Sequence, residues 1–245
     1  MKRLMIPLML MITTVGMAQV PSGEAILEKV DENQIARNRK IIYEMLIHGR
    51  RGSRTLKAQS WIEGADRSFT EYLEPPRESG TKMLKLQEQL WTYSPSTDRI
   101  IKISGHMLRQ SVMGSDLSYE DMMEDRHLLR LYEAEVVGEE TFMERPCWVL
   151  KLTAKETDVA YHSRDIWVDK ERYLALKENR YAKSGKLLKT TEVKSVIKEG
   201  DRWVGERVVF KDELKSGDGT EFLIESVTYD IDIPEYIFSK AALRK

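Results

Sequence analysis

The sequence predicts a mainly β fold: about eleven strands in one wide, curled antiparallel sheet, with short helices over its apolar face. Three observations carry this. Beyond one N-terminal helix, apolar and polar residues alternate with period two almost to the end of the chain. Several connections between the alternating runs are hairpin-short and carry turn chemistry, so neighbouring strands pair antiparallel. No long helix alternates with the strands, which argues against a parallel α/β sheet.

The elements follow in chain order. Residues 1–18 read as a cleaved export signal: Lys2 and Arg3, an apolar run from Leu4 to Val15, then Gly16-Met17-Ala18 as the cleavage site before Gln19. The run is shorter than the roughly 20 residues of a spanning helix. Five of the twelve methionines lie in this segment, and its loss takes the formal charge from −1 to −3. No cysteine follows the site, so residues 19–245 are expected to form one soluble periplasmic domain without a lipid anchor. Pro21-Ser22-Gly23 opens a helix to about Asn33 with Ile26, Leu27 and Val30 on one face. In the first strand Ile41, Tyr43, Met45 and Ile47 alternate with Ile42, Glu44, Leu46 and His48. Further runs follow near 54–62, 67–73, 81–86, 89–94 and 98–103. A second series begins near 130 and covers 146–154, 164–169, 172–181, 186–197, 203–213 and 220–231. Turns fall at Glu63-Gly64-Ala65-Asp66, Ser94-Pro95-Ser96-Thr97-Asp98, Lys183-Ser184-Gly185 and Lys198-Glu199-Gly200-Asp201.

A sheet this wide must curl, and its apolar face must be covered. The covers are the 22–33 helix, the 104–125 segment and the C-terminal stretch Ile233-Pro234-Glu235-Tyr236-Ile237-Phe238-Ser239-Lys240. In the 104–125 segment Ser118 and Asp121 have the spacing of a capping box. The helix they start presents Tyr119, Met122 and Met123 together, after Met107, Leu108 and Met113 on a Gly-bounded loop. Methionine adapts to apolar surfaces of varying shape, so this segment reads as a lid, whether a gate or a fixed cover. Between sheet and covers a cavity for an apolar ligand is expected. Its candidate lining is Tyr43, Met45 and Ile47, then Leu84, Leu86, Trp91 and Tyr93, then Trp148, Leu150 and Leu152; the inward parity of each strand stays open.

Composition narrows the function. With 39 Lys+Arg against 40 Asp+Glu, the chain lacks the basic excess of a general nucleic-acid binder. A hydrophobic content of 41% is too high for a disordered chain, and a mean hydropathy of −0.46 excludes a multi-span membrane protein. The single cysteine, Cys147, excludes a disulfide framework and reads as a small core residue in an apolar strand. His48, His106, His127 and His162 show no ligand spacing, and no nucleophile elbow or phosphate loop is present. Asp116, Glu120, Asp121, Glu124 and Asp125 read as the solvated face of a short helix. No enzyme activity, metal or cofactor is expected.

Several segments then fall into a familiar series. It runs Ala25-Ile26-Leu27-Glu28-Lys29-Val30-Asp31, Gln89-Leu90-Trp91-Thr92-Tyr93-Ser94-Pro95 and Ile101-Lys102-Ile103-Ser104-Gly105. Met113-Gly114-Ser115-Asp116-Leu117-Ser118-Tyr119-Glu120-Asp121, Arg145-Pro146-Cys147-Trp148-Val149-Leu150, Ile166-Trp167-Val168-Asp169-Lys170 and Asp232-Ile233-Pro234-Glu235 continue it. Together they resemble the outer membrane lipoprotein-sorting, LolA-like family of bacterial periplasmic proteins, over essentially all of residues 19–245. The resemblance implies an antiparallel half-barrel whose concave apolar face is plugged by helices. It implies a carrier of lipoprotein acyl chains or other lipid, acting as a monomer between an inner-membrane transporter and an outer-membrane acceptor, without cofactor. In the family's carrier an arginine on an early strand holds the closed lid; Arg37 and Arg39 lie near that region. The acidic 113–125 insertion departs from the small carrier, and the alternative it leaves is a lipid-sensing or accessory module for a membrane transporter or regulator.

Overall fold

The computed structural model describes residues 20–49, 52–124 and 127–245. The expected export signal, 1–18, lies outside the described residues, as does Asp125. The first helix, α1 (Gly23–Gln34), is capped by Ser22, whose hydroxyl accepts from the Ala25 amide. It is followed by β1 (Asn38–Gly49), β2 (Gly52–Glu63), β3 (Arg67–Glu74), β4 (Lys82–Leu86), β5 (Gln89–Ser94) and β6 (Arg99–Ile103). After a crossing segment come β7 (Tyr132–Phe142), β8 (Arg145–Ala154), β9 (Ser163–Asp169) and β10 (Ala175–Tyr181). The last strands are β11 (Leu187–Glu199), β12 (Arg202–Asp212) and β13 (Thr220–Tyr229). The described strands thus number thirteen, two above the expected total. Each alternating run is a strand of its own, because even the short pause between β9 and β10 reverses the chain.

All thirteen strands form one open antiparallel sheet in the order β6-β5-β4-β3-β2-β1-β13-β12-β11-β10-β9-β8-β7, a curved half-barrel. Short turns join several of the neighbours, with Gly64 and Gly200 at φ of 55° and 59°, where a side chain would be strained, while β1 and β13 pair from opposite ends of the chain. One connection is different. The chain leaves the sheet at one edge, β6, and re-enters at the other, β7. It must therefore cross the whole sheet. The crossing contains two short 3₁₀ turns (Gly105–Arg109 and Val112–Gly114), α2 (Tyr119–Met123) and α3 (Leu128–Leu131).

Register assigns the faces. On the crossed face, Tyr43, Met45, Ile47, Leu56, Tyr72, Met83 and Leu90 form one cluster. Met107, Leu108, Met113, Tyr119, Met122 and Met123 pack down on it. On the same face at the other end, Trp148, Leu150 and Leu152 lie under Ile26, Leu27 and Val30 of α1 and Leu128 of α3. Leu84, Leu86, Trp91 and Tyr93 do not share this face. Leu84 pairs with Trp91 and alternates with Met83, so these four point to the opposite side. There they pack with Phe69, Phe238 and Leu243. Two expectations are corrected together: the inward parity of β4 and β5 is inverted, and the C-terminal stretch covers the other face. Both parities of these strands are apolar (Met83-Leu84 and Leu90-Trp91), so alternation alone could not choose between them. Cys147 is fully buried on that opposite side with Val149 and Trp167, as a core residue.

Candidate functional site

A cavity of about 360 Å³ lies between the centre of the sheet and the covering helices, inside the roughly 300–1,000 Å³ range of small-molecule sites. Val30 of α1, Met122 of α2 and Leu128 of α3 form its roof; Ile41, Ile166, Val208, Phe210, Ile224 and Val227 form its floor. The alternation of β1, β9, β12 and β13 delivers these side chains to the crossed face. Of the sequence-predicted residues only Met122 borders the cavity. Tyr43, Met45 and Ile47 lie beside it under the crossing segment, Trp148, Leu150 and Leu152 lie under α1, and the β4–β5 set is behind the sheet.

The cavity wall is not apolar throughout. Arg164, Glu178 and Arg180 line it, with Lys189 adjoining. Arg164 pairs with Arg180 across β9 and β10, and Arg180 with Lys189 across β10 and β11, so three cations stand side by side in register on the covered face. The Arg164 side chain is 1% exposed. Glu178 accepts from Arg164 Nη1 at 2.7 Å and from Arg180 Nη2 at 2.8 Å. The remaining acceptors come from the crossing segment. Asp121 pairs with Lys189, lies 3.7 Å from Arg180 Nη1 and accepts from the Tyr161 hydroxyl, while Glu124 pairs with Arg164. Arg164 also donates to the Tyr132 hydroxyl at 3.0 Å, and its guanidinium stacks over the Tyr132 and Tyr161 rings.

The protonation of the cluster follows from burial and charge. Burial alone would raise the Glu178 carboxyl, but Arg180 and Arg164 outweigh it and lower it to about 2. Burial likewise works against the Asp121 carboxylate, and Lys189 and Arg180 overcome it, leaving Asp121 below its ordinary value. Burial pushes the Tyr161 and Tyr132 hydroxyls up, so both remain donors. The acidic stretch is thus not the solvated face expected of it. Asp116 is 6% exposed, accepting from the Asp212 amide at 3.0 Å and the Thr220 hydroxyl at 2.8 Å. Asp116 ties the loop before α2 to β12 and β13. Ser118 and Asp121 form the expected capping box, with Asp121 also facing the cations. Arg39 is not part of the cluster. It lies on the cavity wall and donates to the Gln34 carbonyl at the end of α1. His106 is exposed, and His48, His127 and His162 are half-buried.

This architecture is shared with solved structures. A DUF1329 family protein from Desulfovibrio piger matches 90% of this chain and 97% of its own, at 23% identity and a TM-score of 0.83. A domain named for outer membrane lipoprotein sorting, from Vibrio parahaemolyticus, matches 91% and 98% at 22% identity and a TM-score of 0.78. A LolA superfamily protein from Nitrosomonas europaea matches 91% and 100% at 23% identity and a TM-score of 0.72. The fold is LolA-like. A family model described as "Uncharacterized protein" matches residues 64–245, well over half of the sequence. The chain belongs to that family. No curated protein matches the sequence. In this LolA-like domain the matched region spans β3 to the C-terminus and contains the whole crossing segment with Arg164, Arg180 and Lys189.

Proposed function

We propose that this protein is a periplasmic carrier that takes up acyl chains of lipoproteins or other lipids beneath its crossing segment and releases them to a membrane-bound acceptor, without a covalent step. The observation that carries the reading is the cavity with an apolar roof at Val30, Met122 and Leu128 and an apolar floor on the sheet. The LolA-like fold and the naming of one structural relative for outer membrane lipoprotein sorting support it. Among the described residues no helix is long and apolar enough to cross a membrane. Burial of each CH₂ contributes about 0.8 kcal/mol, so a chain of about sixteen carbons offers on the order of 12 kcal/mol before ordering costs. The cavity is small for such a chain. Lifting α2 and the 3₁₀ turns extends it over Tyr43, Met45 and Ile47, which the lid residues cover when the site is empty.

The test is mass spectrometry of small molecules retained after native purification, with titration of a hydrophobic fluorescent probe. Acyl-chain lipid should co-purify, and Val208→Trp, which fills the floor, should weaken probe binding by about tenfold or more. A protein that retains no lipid and leaves the probe dark ends the carrier reading.

A further inference from the structure

We propose that the cargo carries an anionic head group, which replaces the Asp121 and Glu124 carboxylates on Arg164, Arg180 and Lys189 when α2 lifts. This rests on the carrier reading and names its substrate class.

The in-register row of cations is the first argument. Like charges directly opposite one another on a sheet repel, and these stand on a covered face. Their balance depends on α2. Three cations face three carboxylates when the lid is down, but only Glu178 belongs to the sheet. With the lid raised, two positive charges lose their partners beside an apolar cavity. An acyl chain cannot compensate them. A carboxylate or phosphate attached to that chain can.

The donor geometry is the second argument. Lifting α2 frees Lys189 Nζ, Arg180 Nη1, Arg164 Nη2 and the Tyr161 hydroxyl together, from three neighbouring strands and the loop before β9. Arg164 Nε and Arg180 Nε are buried with no hydrogen-bond partner even when the lid is down. The sheet therefore holds more donors than the lid satisfies. Guanidinium forks suit planar or tetrahedral oxyanions, which accept several such donors at once. Both arginines also line the cavity, so a head group at the row places its chain along Ile166, Val208 and Ile224.

The test compares palmitate, the neutral monopalmitoylglycerol, acetate and inorganic phosphate, each by displacement of a cavity-bound fluorescent probe and by calorimetry. Palmitate should bind about tenfold or more tightly than monopalmitoylglycerol, and neither small anion should match it. Arg180→Met should bring the two palmitoyl ligands to similar affinity. Asp121→Asn should strengthen palmitate binding, because a competing carboxylate is gone. If Arg180→Met does not fold, as judged by circular dichroism, Lys189→Met at the end of the row serves in its place and should narrow the preference in the same direction. Equal affinity for both palmitoyl ligands in the unaltered protein overturns the head-group site and leaves the carrier reading intact. Binding of acetate or phosphate as tightly as palmitate also overturns it, in favour of a site for free anions. Failure of all ligands to bind removes the carrier reading itself.

Discussion

Glu178 is where the ionic cluster can be weighed most directly. Its folded carboxyl is lowered to about 2 from an ordinary 4.5, so it adds stability that is fully present above about pH 4.5 and lost as the pH falls through 2. Asp121, lowered in the same sense, loses its contribution in the acid range as well. Denaturant midpoints measured from pH 6 down to 2 should therefore fall, and Glu178→Gln should flatten the lower part of that fall. A midpoint indifferent to acid would contradict the assignment. At neutral pH Glu178→Gln leaves two buried arginines short of a charge partner, and the loss should be about 3–5 kcal/mol. None of these four sheet residues was singled out from the sequence. Alternation sorts residues by polarity, and Arg164, Glu178, Arg180 and Lys189 sit at polar positions that look like a wet face. Their partners in the crossing segment, Glu124 just after α2 and Asp121 within it, are 40 residues from Arg164 and 68 from Lys189, a distance over which periodicity carries no signal. The same blindness made the acidic 116–124 stretch look solvated. The capping box, by contrast, was legible because Ser118 and Asp121 are three residues apart and need only each other.

At the level of elements, the covering helices are held in different ways. The first helix is fixed by close packing. Gly23 approaches β7 so nearly that an added Cβ would lie 2.3 Å from the Ala134 carbonyl oxygen. Gly23→Ala must therefore push the helix off the strand, and we expect a loss of about 1–3 kcal/mol, read from thermal or chemical denaturation. The second helix is a single turn held by charge and a cap, with Asp116 as a fixed point just before it. Ser118→Ala removes the cap and should cost about 1 kcal/mol. Hydrogen exchange should then quicken at residues 119–124 and remain slow in α1. Equal quickening in both would mean that the lid does not open separately. The sequence pattern located α1, the lid segment and nearly every strand, since amphipathic period and turn residues are local properties. It left the strand faces open, and β4 and β5 show why: with apolar residues at both parities, only the covers decide, and one cover is the C-terminal stretch more than 140 residues further on.

For the whole molecule, that stretch matters more than its 3₁₀ turns suggest. Phe238 and Leu243 cover Phe69, Leu84 and Trp91 on the outer side of the half-barrel. Ending the chain after Asp232 should expose this patch, lowering the thermal midpoint and raising binding of a hydrophobic dye, while the cavity side is left in place. A truncated protein as stable and dye-free as the full chain would contradict the assignment of this segment as a cover. The open sheet has one more consequence. Among the described residues its two outer strands, β6 and β7, have no neighbouring strand on their far sides, and open sheet edges of that kind invite other chains to add on. Along β7 Glu139 pairs with Lys170 and Glu140 accepts from the Trp167 indole, while the exposed Glu133 and Glu135 present negative charge that a second copy of the same edge must meet. The charge on this strand thus works against edge-to-edge pairing of two copies. High salt, by screening those glutamates, should be the condition under which copies begin to associate along this edge, read as a rise in light scattering.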